Sequence, residues 1–441
     1  MISFIDQFDQ NFTEIIKTTP PWFNQLRQEG LTRLNQMSFP STKDEEWKYT
    51  NISSLLQRTY QFPTQTTLLE TEEFQTYTDT DSILIVFING QFSAQYSRLS
   101  KVPTGVTVTS LAETLRNNNG VPLQKILTTY DAQQESIFAL LNKIMLKDGP
   151  IITLADNTIC PDLIHVVHVT SPSQKEIITC PRSLISIGKS AQANVLESHI
   201  CLNDNDIYFT NAVTDIALGE NATLYYCKAQ KESSKAFHIN ATRVAQERDS
   251  TFHSFVLTTG GQITRNNLDI SLNGEGCSAF LNGLYAPYDT QLVDNHTSVD
   301  HRYPNSTSNQ LYKGILNHAA RGIFNGKIIV RSIAQKTNSY QLNKNLLLGK
   351  DCRMDTKPQL EISADDVKCT HGATIGQLNE EELFYLQTRC IPKKMAVKIL
   401  AEGFINDIIE RISSKEIRLK LNALLMPAFA TLGEQAGKEG E

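Results

Sequence analysis

Between about Ile151 and Gly376 the sequence is a succession of short, β-branched-rich runs with no amphipathic helix among them. IITLADN, LIHVVHVTS, SLISIGKSA, ATLYYCKAQ, STFHSFVLTTGG, NLDISLNGEG, AFLNGLYAP and GKIIVRSIA are bounded by Gly, Asn or Asp. That is how strands separated by turns are spelled. Residues 151–376 are more than twice the ~100 residues of one immunoglobulin-like sandwich. Two architectures remain. One is a large sandwich or barrel; the other is a parallel β-solenoid whose coils stack over a continuous core. The runs show no clean short repeat, and strand periodicity alone does not separate the two.

The flanks read differently. In residues 1–82, Phe4, Phe8, Phe12 and Ile15 recur at helical spacing. After Pro20-Pro21, the residues Trp22, Leu26, Leu34 and Met37 predict a second helix with one apolar face. STKDEEWKYTNI then sets Trp47 and Tyr49 among charges, as a docking turn or a solvated helix end. Residues 83–150 are a mixed transition: the buried-strand run ILIVFING, then helical SLAETLRNN and SIFALLNKIML. Residues 377–433 form a C-terminal helical domain. Asn379 with Glu382 resembles a capping box, and Pro392 lies near a helix start. Val397, Ala401, Ile405, Ile408 and Ile412 make one stripe, and Ile417, Leu421 and Leu424 a third helix that ends near Pro427. The tail 434–441 is expected to be disordered.

Charge and hydropathy exclude several classes. With 41 basic against 47 acidic residues the net charge is -6, which argues against nucleic acid as a partner, because phosphate binding needs a basic face. No run of 18 apolar residues exists, so no membrane span is expected. MISFIDQFDQ lacks the basic and apolar regions of an export signal, so the expected compartment is the cytoplasm. The cysteines, 160, 180, 201, 227, 277, 352, 369 and 390, contain no CxxC, and most read as buried small hydrophobes.

Familiar catalytic motifs fail on context. GEGCSA fits G-x-G-x-x-A but leads into a strand, where a dinucleotide site needs a helix. RGIFNGK has the wrong spacing for a phosphate loop, with Arg321 at the first glycine and Ile328 in place of Ser or Thr. In DNHTSVDH, His296 and His301 are an odd step apart and would face opposite ways on a strand; so would His165 and His168 in IHVVHV. ADDVKCTHGATIG is the densest reactive stretch. Cys369 and His371 are two apart, so a strand projects them from one face. Lys368 and His371 are expected to lower the thiol pKa. The pair is half of a soft-metal site whose other ligands would come from another chain, or it is a structural strand end. A Cys–His nucleophile is the weaker reading, since a base must reach the thiol and be oriented by a third group.

Long segments then carry a resemblance: ATRVAQERDSTFHSF, GG–RNNLDISLNGEG, LVDNHTSVDH, YKGIL, ARGIFNGKIIV, AQKTNSYQLNKNLLL, KPQLEISADDVKCTHGATIGQLNEEELFYLQTR and AEGFINDII, with DEEWKYTNI near the N-terminus. The chain resembles the SufB/SufD family of scaffold proteins of the bacterial SUF iron–sulfur cluster assembly system, in its SufD form. The resemblance implies a mainly β fold: a right-handed parallel β-helix core flanked by N-terminal and C-terminal helical domains. It implies a scaffold rather than an enzyme, paired with SufB through the β-helices and carrying the SufC ATPase on the C-terminal helices, around Phe404. It leaves room for a homodimer in the absence of SufB. It implies that ATP is bound by SufC, that no cofactor is held stably by this chain, and that a transient iron–sulfur cluster assembles in the complex, which the family permits to bind reduced flavin. His371 matches the family's interface histidine, and Cys369 the nearby cysteine. The alternative is a β-solenoid carbohydrate-active enzyme. It needs paired carboxylates, for which the adjacent Asp365 and Asp366 are poorly placed.

Overall fold

The computed structural model describes residues 19–63, 81–116, 135–171 and 176–430, with isolated positions within 1–18 and 64–80. The expectations for Phe8 and for 434–441 lie outside the described residues. The core is a parallel β-solenoid. Successive strands alternate between two ten-stranded sheets, so that Tyr208–Leu218 lies in one, Thr223–Glu232 in the other and Phe237–Gln246 back in the first. Along the stack the pairing is parallel and in register; among the described strands only two pairs at the N-terminal end are antiparallel.

One corner of each coil follows a rule. Asn157, Ser190, Asn221, Asp249, Gly276, Asn305 and Lys336 all have φ between 55° and 72°. A left-handed residue there turns the chain from one sheet to the other, and Asn, Asp and Gly reach that region at least cost. Each donates its N–H to the carbonyl one coil further on: Asn221 to Arg248, Asp249 to Glu275, Asn305 to Gln335. The corners therefore stack as the strands do.

Inside, apolar columns run along the stack, including Val195, Tyr226, Leu281, Leu224, Phe252 and Ala279. The outer faces are covered by helices. We label the helices α1 (Pro21–Leu34), α2 (Ser53–Leu56), α3 (Leu111–Arg116), α4 (Ile137–Met145), α5 (Glu380–Thr388), α6 (Lys393–Ile409) and α7 (Lys415–Ala430). Helix α4 is capped by Ser136, which accepts from the Ala139 N–H. Its Phe138, Leu141 and Ile144 share an apolar cluster with Phe209, Phe237 and Ile239 of one sheet, each worth about 1.5–3 kcal/mol when fully buried. Helix α1 packs on α4 at Gly30, where a Cβ would stand 3.1 Å from Ile144. Of the expected stripe, Ala401, Ile405, Ile408 and Ile412 are buried on the opposite sheet, to which α7 adds Ile417, Leu421 and Leu424, and Val397 is buried as well. The helix end expected at Pro427 is corrected: α7 continues to Ala430.

EEWKYT is a docking turn. A 3-10 turn, Glu45–Trp47, sits on the outer face of the solenoid. The Arg265 guanidinium lies 3.9 Å from the Trp47 ring centre and donates to the Glu46 carbonyl at 2.7 Å. Asp294, fully buried, accepts from the Thr50 hydroxyl at 2.6 Å and from Arg265 at 2.7 Å. His296 bridges Asp294 at 2.9 Å and Glu46 at 3.2 Å.

Candidate functional site

Among the described strands, Lys368–Gly376 is the last of its sheet and pairs on one side only, with Asn338–Leu346. Cys369 and His371 do share a face, as their spacing requires. The register shows which face it is. His371 follows Gln341, Gln310, Leu281, Ser254 and Tyr226; Cys369 follows Ser339, Ser308, Ala279 and Phe252. Both columns line the solenoid interior and emerge at its end. Apolar residues give way to polar ones over the last coils: Gln341 donates to Gln310 at 2.8 Å, and the Ser308 and Ser339 hydroxyls are 2.6 Å apart. His371 is exposed and Cys369 half-buried beside Leu360, Ala364 and Val367.

One expectation is corrected. Burial pushes the Cys369 thiol up, only partly opposed by a hydrogen bond from the Ser339 backbone. Lys368 projects to the other face of the strand, so no cation sits against the sulfur. Among the described residues, no further His, Cys, Asp or Glu joins this pair in a group of three potential donors. Within the chain it remains a half-site.

The two sheet ends at this pole differ. Arg353–Ile362 carries Arg353, Asp355, Lys357 and Glu361, with Pro358 in mid-strand. Charges and proline are how natural edges discourage pairing. Lys368–Gly376 has one lysine and no proline over nine residues, and Ile375 is 46% exposed. No described strand pairs with its outer side.

The C-terminal helices present a second surface. Phe404 is half-buried, with the Lys313 ammonium 4.5 Å over its ring and bonded to its carbonyl. The exposed apolar side chains of this region include Phe384 and Tyr385 on α5, at 68% and 58% exposure, and α5 buries no residue of its own.

The His165–His168 and His296–His301 pairs diverge as expected. His165 meets Ser198 at 2.9 Å and His168 meets Glu197 at 3.1 Å; His301 meets Ser308 at 2.9 Å. What pairwise spacing missed is that His168 joins residues of the following coils. His168 and His199 are register partners with rings stacked 4.6 Å apart. Glu197, Lys228, Glu232 and His238 complete a buried polar cluster. Burial pushes the Glu197 carboxyl up, but hydrogen bonds from His168, Ser183 and Tyr226 prevail and hold it at about 2. Burial brings Lys228 down to about 7 against the pull of Glu197 and Glu232. The signal was a coil period of about thirty residues, which the turns obscure.

The chain is thus a two-sheet parallel β-solenoid with helices on both faces and a Cys-x-His pair at one end, an architecture that by itself does not specify a function. Residues 169–404 match the SufBD core domain of the SUF system for FeS cluster assembly, and residues 1–166 match the SufBD protein N-terminal region. The chain belongs to the SufBD family of the SUF iron–sulfur cluster assembly system. It is 30% identical to the iron–sulfur cluster assembly protein SufD of Escherichia coli over 90% of both chains. It is also 30% identical to a SufBD family protein of Synechocystis, over 90% of this chain and 88% of that one. With the chloroplastic protein ABCI7 of Arabidopsis thaliana it shares 27% over 94% of this chain and 88% of that one. Among the described residues no helix is long and apolar enough to cross a membrane.

Proposed function

We propose that this chain is a non-catalytic scaffold subunit of a SUF complex, pairing with a SufB-type paralogue and carrying a SufC-type ATPase. The observation that carries the reading is the uncovered, charge-poor strand Lys368–Gly376, which sets Cys369 and His371 at the mouth of the solenoid. A paralogue's terminal strand adds to that edge by main-chain hydrogen bonds. Its thiolate then stands beside His371 and completes the half-site. A nascent cluster is cargo and must leave, so a site shared between two chains, with one imidazole, suits it better than four thiolates on one chain. The His371 side chain supplies a ring-nitrogen lone pair to iron. Cys369 contributes once its burial is relieved.

The ATPase docks on the C-terminal helices, where α5 exposes Phe384 and Tyr385. ATP stays on that partner. Closure of two ATPase copies moves the helices, and these pull on the sheets they cover, biasing the paired solenoids between two arrangements. Reduced flavin, where used, binds the assembled complex. Without the paralogue, the open edge pairs with a second copy of this chain.

Native mass spectrometry of the tagged protein, purified without oxygen from its own cells, tests this. One copy of this chain, one paralogue and two ATPase subunits are expected. His371→Ala in that complex is expected to lose cluster content while keeping its stoichiometry. A bare monomer with no ATPase overturns the reading.

A further inference from the structure

The open end leaves the interior of the N-terminal coils unexplained. Apolar side chains would fill that space and stabilise the stack. Instead His168, Glu197, His199, Lys228, Glu232 and His238 occupy it, all buried. Hydrogen bonds account for part of the cluster. Glu232 accepts from Thr210 at 2.7 Å and lies 2.6 Å from His238 Nδ1. Lys228 Nζ sits 3.0 Å from His238 Nε2. At the other end of the cluster His199 stands apart, since neither of its ring nitrogens has a hydrogen-bond partner although the side chain is only 2% exposed.

Three potential ligand atoms meet around His199. One donor atom each from His168, Glu197 and His199 lies within 4.8 Å of the others. Glu197 Oε1 is 3.1 Å from His168 Nε2 and 3.8 Å from His199 Nε2. Two donors each about 2.0–2.2 Å from one tetrahedral ion stand roughly 3.3–3.6 Å apart, so these separations bracket the required one. The carboxylate is already oriented by outer partners: Ser183 on Oε1 at 2.5 Å, Thr214 and Tyr226 on Oε2 at 3.0 and 2.6 Å. Such outer bonds fix a metal-ligating carboxylate.

We propose that His168, Glu197 and His199 bind one divalent first-row transition ion, Zn²⁺ or Fe²⁺, inside the solenoid. Two imidazoles and a carboxylate suit these ions and not Mg²⁺ or Ca²⁺. The His168 and His199 rings are stacked at 17°, so both lone pairs converge only when one ring turns. His199, which no hydrogen bond restrains, is the one that turns. The site is independent of the open-end pair. It lies several coils away and does not require the scaffold reading.

Elemental mass spectrometry of the full chain, purified anaerobically and dialysed against EDTA, tests the proposal and separates zinc from iron. About one equivalent is expected, retained while the chain is folded and released in guanidinium, because folding closes the site. The double variant Cys369→Ser, His371→Ala should keep the metal. His199→Phe should lower it at least tenfold. Wild-type chain that holds under a tenth of an equivalent, and takes up neither Zn²⁺ nor Co²⁺ on refolding, overturns the site, as does metal retained by a folded His199→Phe. Should that variant not fold, the Co²⁺-refolded wild type decides. Ligand-field bands from nitrogen and oxygen donors are expected, and a strong thiolate-to-cobalt band overturns the assignment.

Discussion

Replacing Asp294 by Asn tests how the N-terminal segment is held on the solenoid. The change keeps the volume and one acceptor oxygen but removes the charge between two cationic partners, Arg265 at 2.7 Å and His296 at 2.9 Å. The Arg265 and Asp294 side chains are 4% and 1% exposed, so water cannot replace the lost partner. Removing one member of a buried pair costs about 3–5 kcal/mol. The protonation equilibria set the pH window. Burial raises the Asp294 carboxyl, but His296 and Arg265 outweigh it and bring it from 3.8 to about 2. That contribution, about 2 kcal/mol, is complete above pH 3.8 and lost as pH falls through 2. Burial lowers His296, but Asp294 prevails and raises it above 6.5. Its contribution is complete below pH 6.5 and lost as pH rises through the folded value. The difference between wild type and Asp294→Asn is therefore greatest between about pH 4 and 6.5. Hydrogen exchange at the turn reads it, because the Trp47 and Thr50 amides donate within the turn to Asp44 and Trp47. At pH 6 these amides should exchange roughly a hundredfold to several-thousandfold faster in the variant, as 1.4 kcal/mol is tenfold. A change below about tenfold, or one that grows above pH 8, refutes the reasoning.

Other substitutions probe the rest of the fold. In Gly314→Ala the new Cβ meets the Tyr285 ring at 2.4 Å and Asn345 Oδ1 at 2.6 Å; a loss of about 1–3 kcal/mol should appear as a lowered melting temperature. Lys313→Ala removes the ammonium that bonds the Phe404 carbonyl and Asp407. Because Asp407 is 57% exposed, the cost should be only about 1–2 kcal/mol, seen as faster exchange in α6 and not in α1. Ile375→Lys places a charge on the open edge without touching the core. Capture of the paralogue should fall at least tenfold, a fold-change worth about 1.4 kcal/mol, while stability moves by less than about 0.5 kcal/mol. Unchanged capture would show that the partner does not use this strand.

Much of this was legible locally. Short runs bounded by Gly, Asn or Asp mark strands from local composition, and the helical stripe Val397–Ile412 depends only on the period of a helix. The same-face relation of Cys369 and His371 follows from a step of two. The strength of the EEWKYT turn was half legible: Trp47 among charges signalled docking, but Arg265, Asp294 and His296, which receive it, lie more than two hundred residues away.

The amino-acid sequence by itself determined a β core between two helical flanks, the shared face of the KCTH pair, and, through long family segments, membership of a cluster-assembly family. Which strands stack follows from long-range pairing alone. Coil register depends on where each corner turns, and corners built on Asn221, Asp249, Gly276 and Asn305 differ in residue type and spacing, so no local pattern reveals it. That register turned the Cys369–His371 face into the mouth of the solenoid. It raised the Cys369 thiol by burial where neighbouring charges suggested the opposite. It also brought His168, Glu197 and His199 together from successive coils, a relation that exists only once parallel strands have paired over distances of about thirty residues.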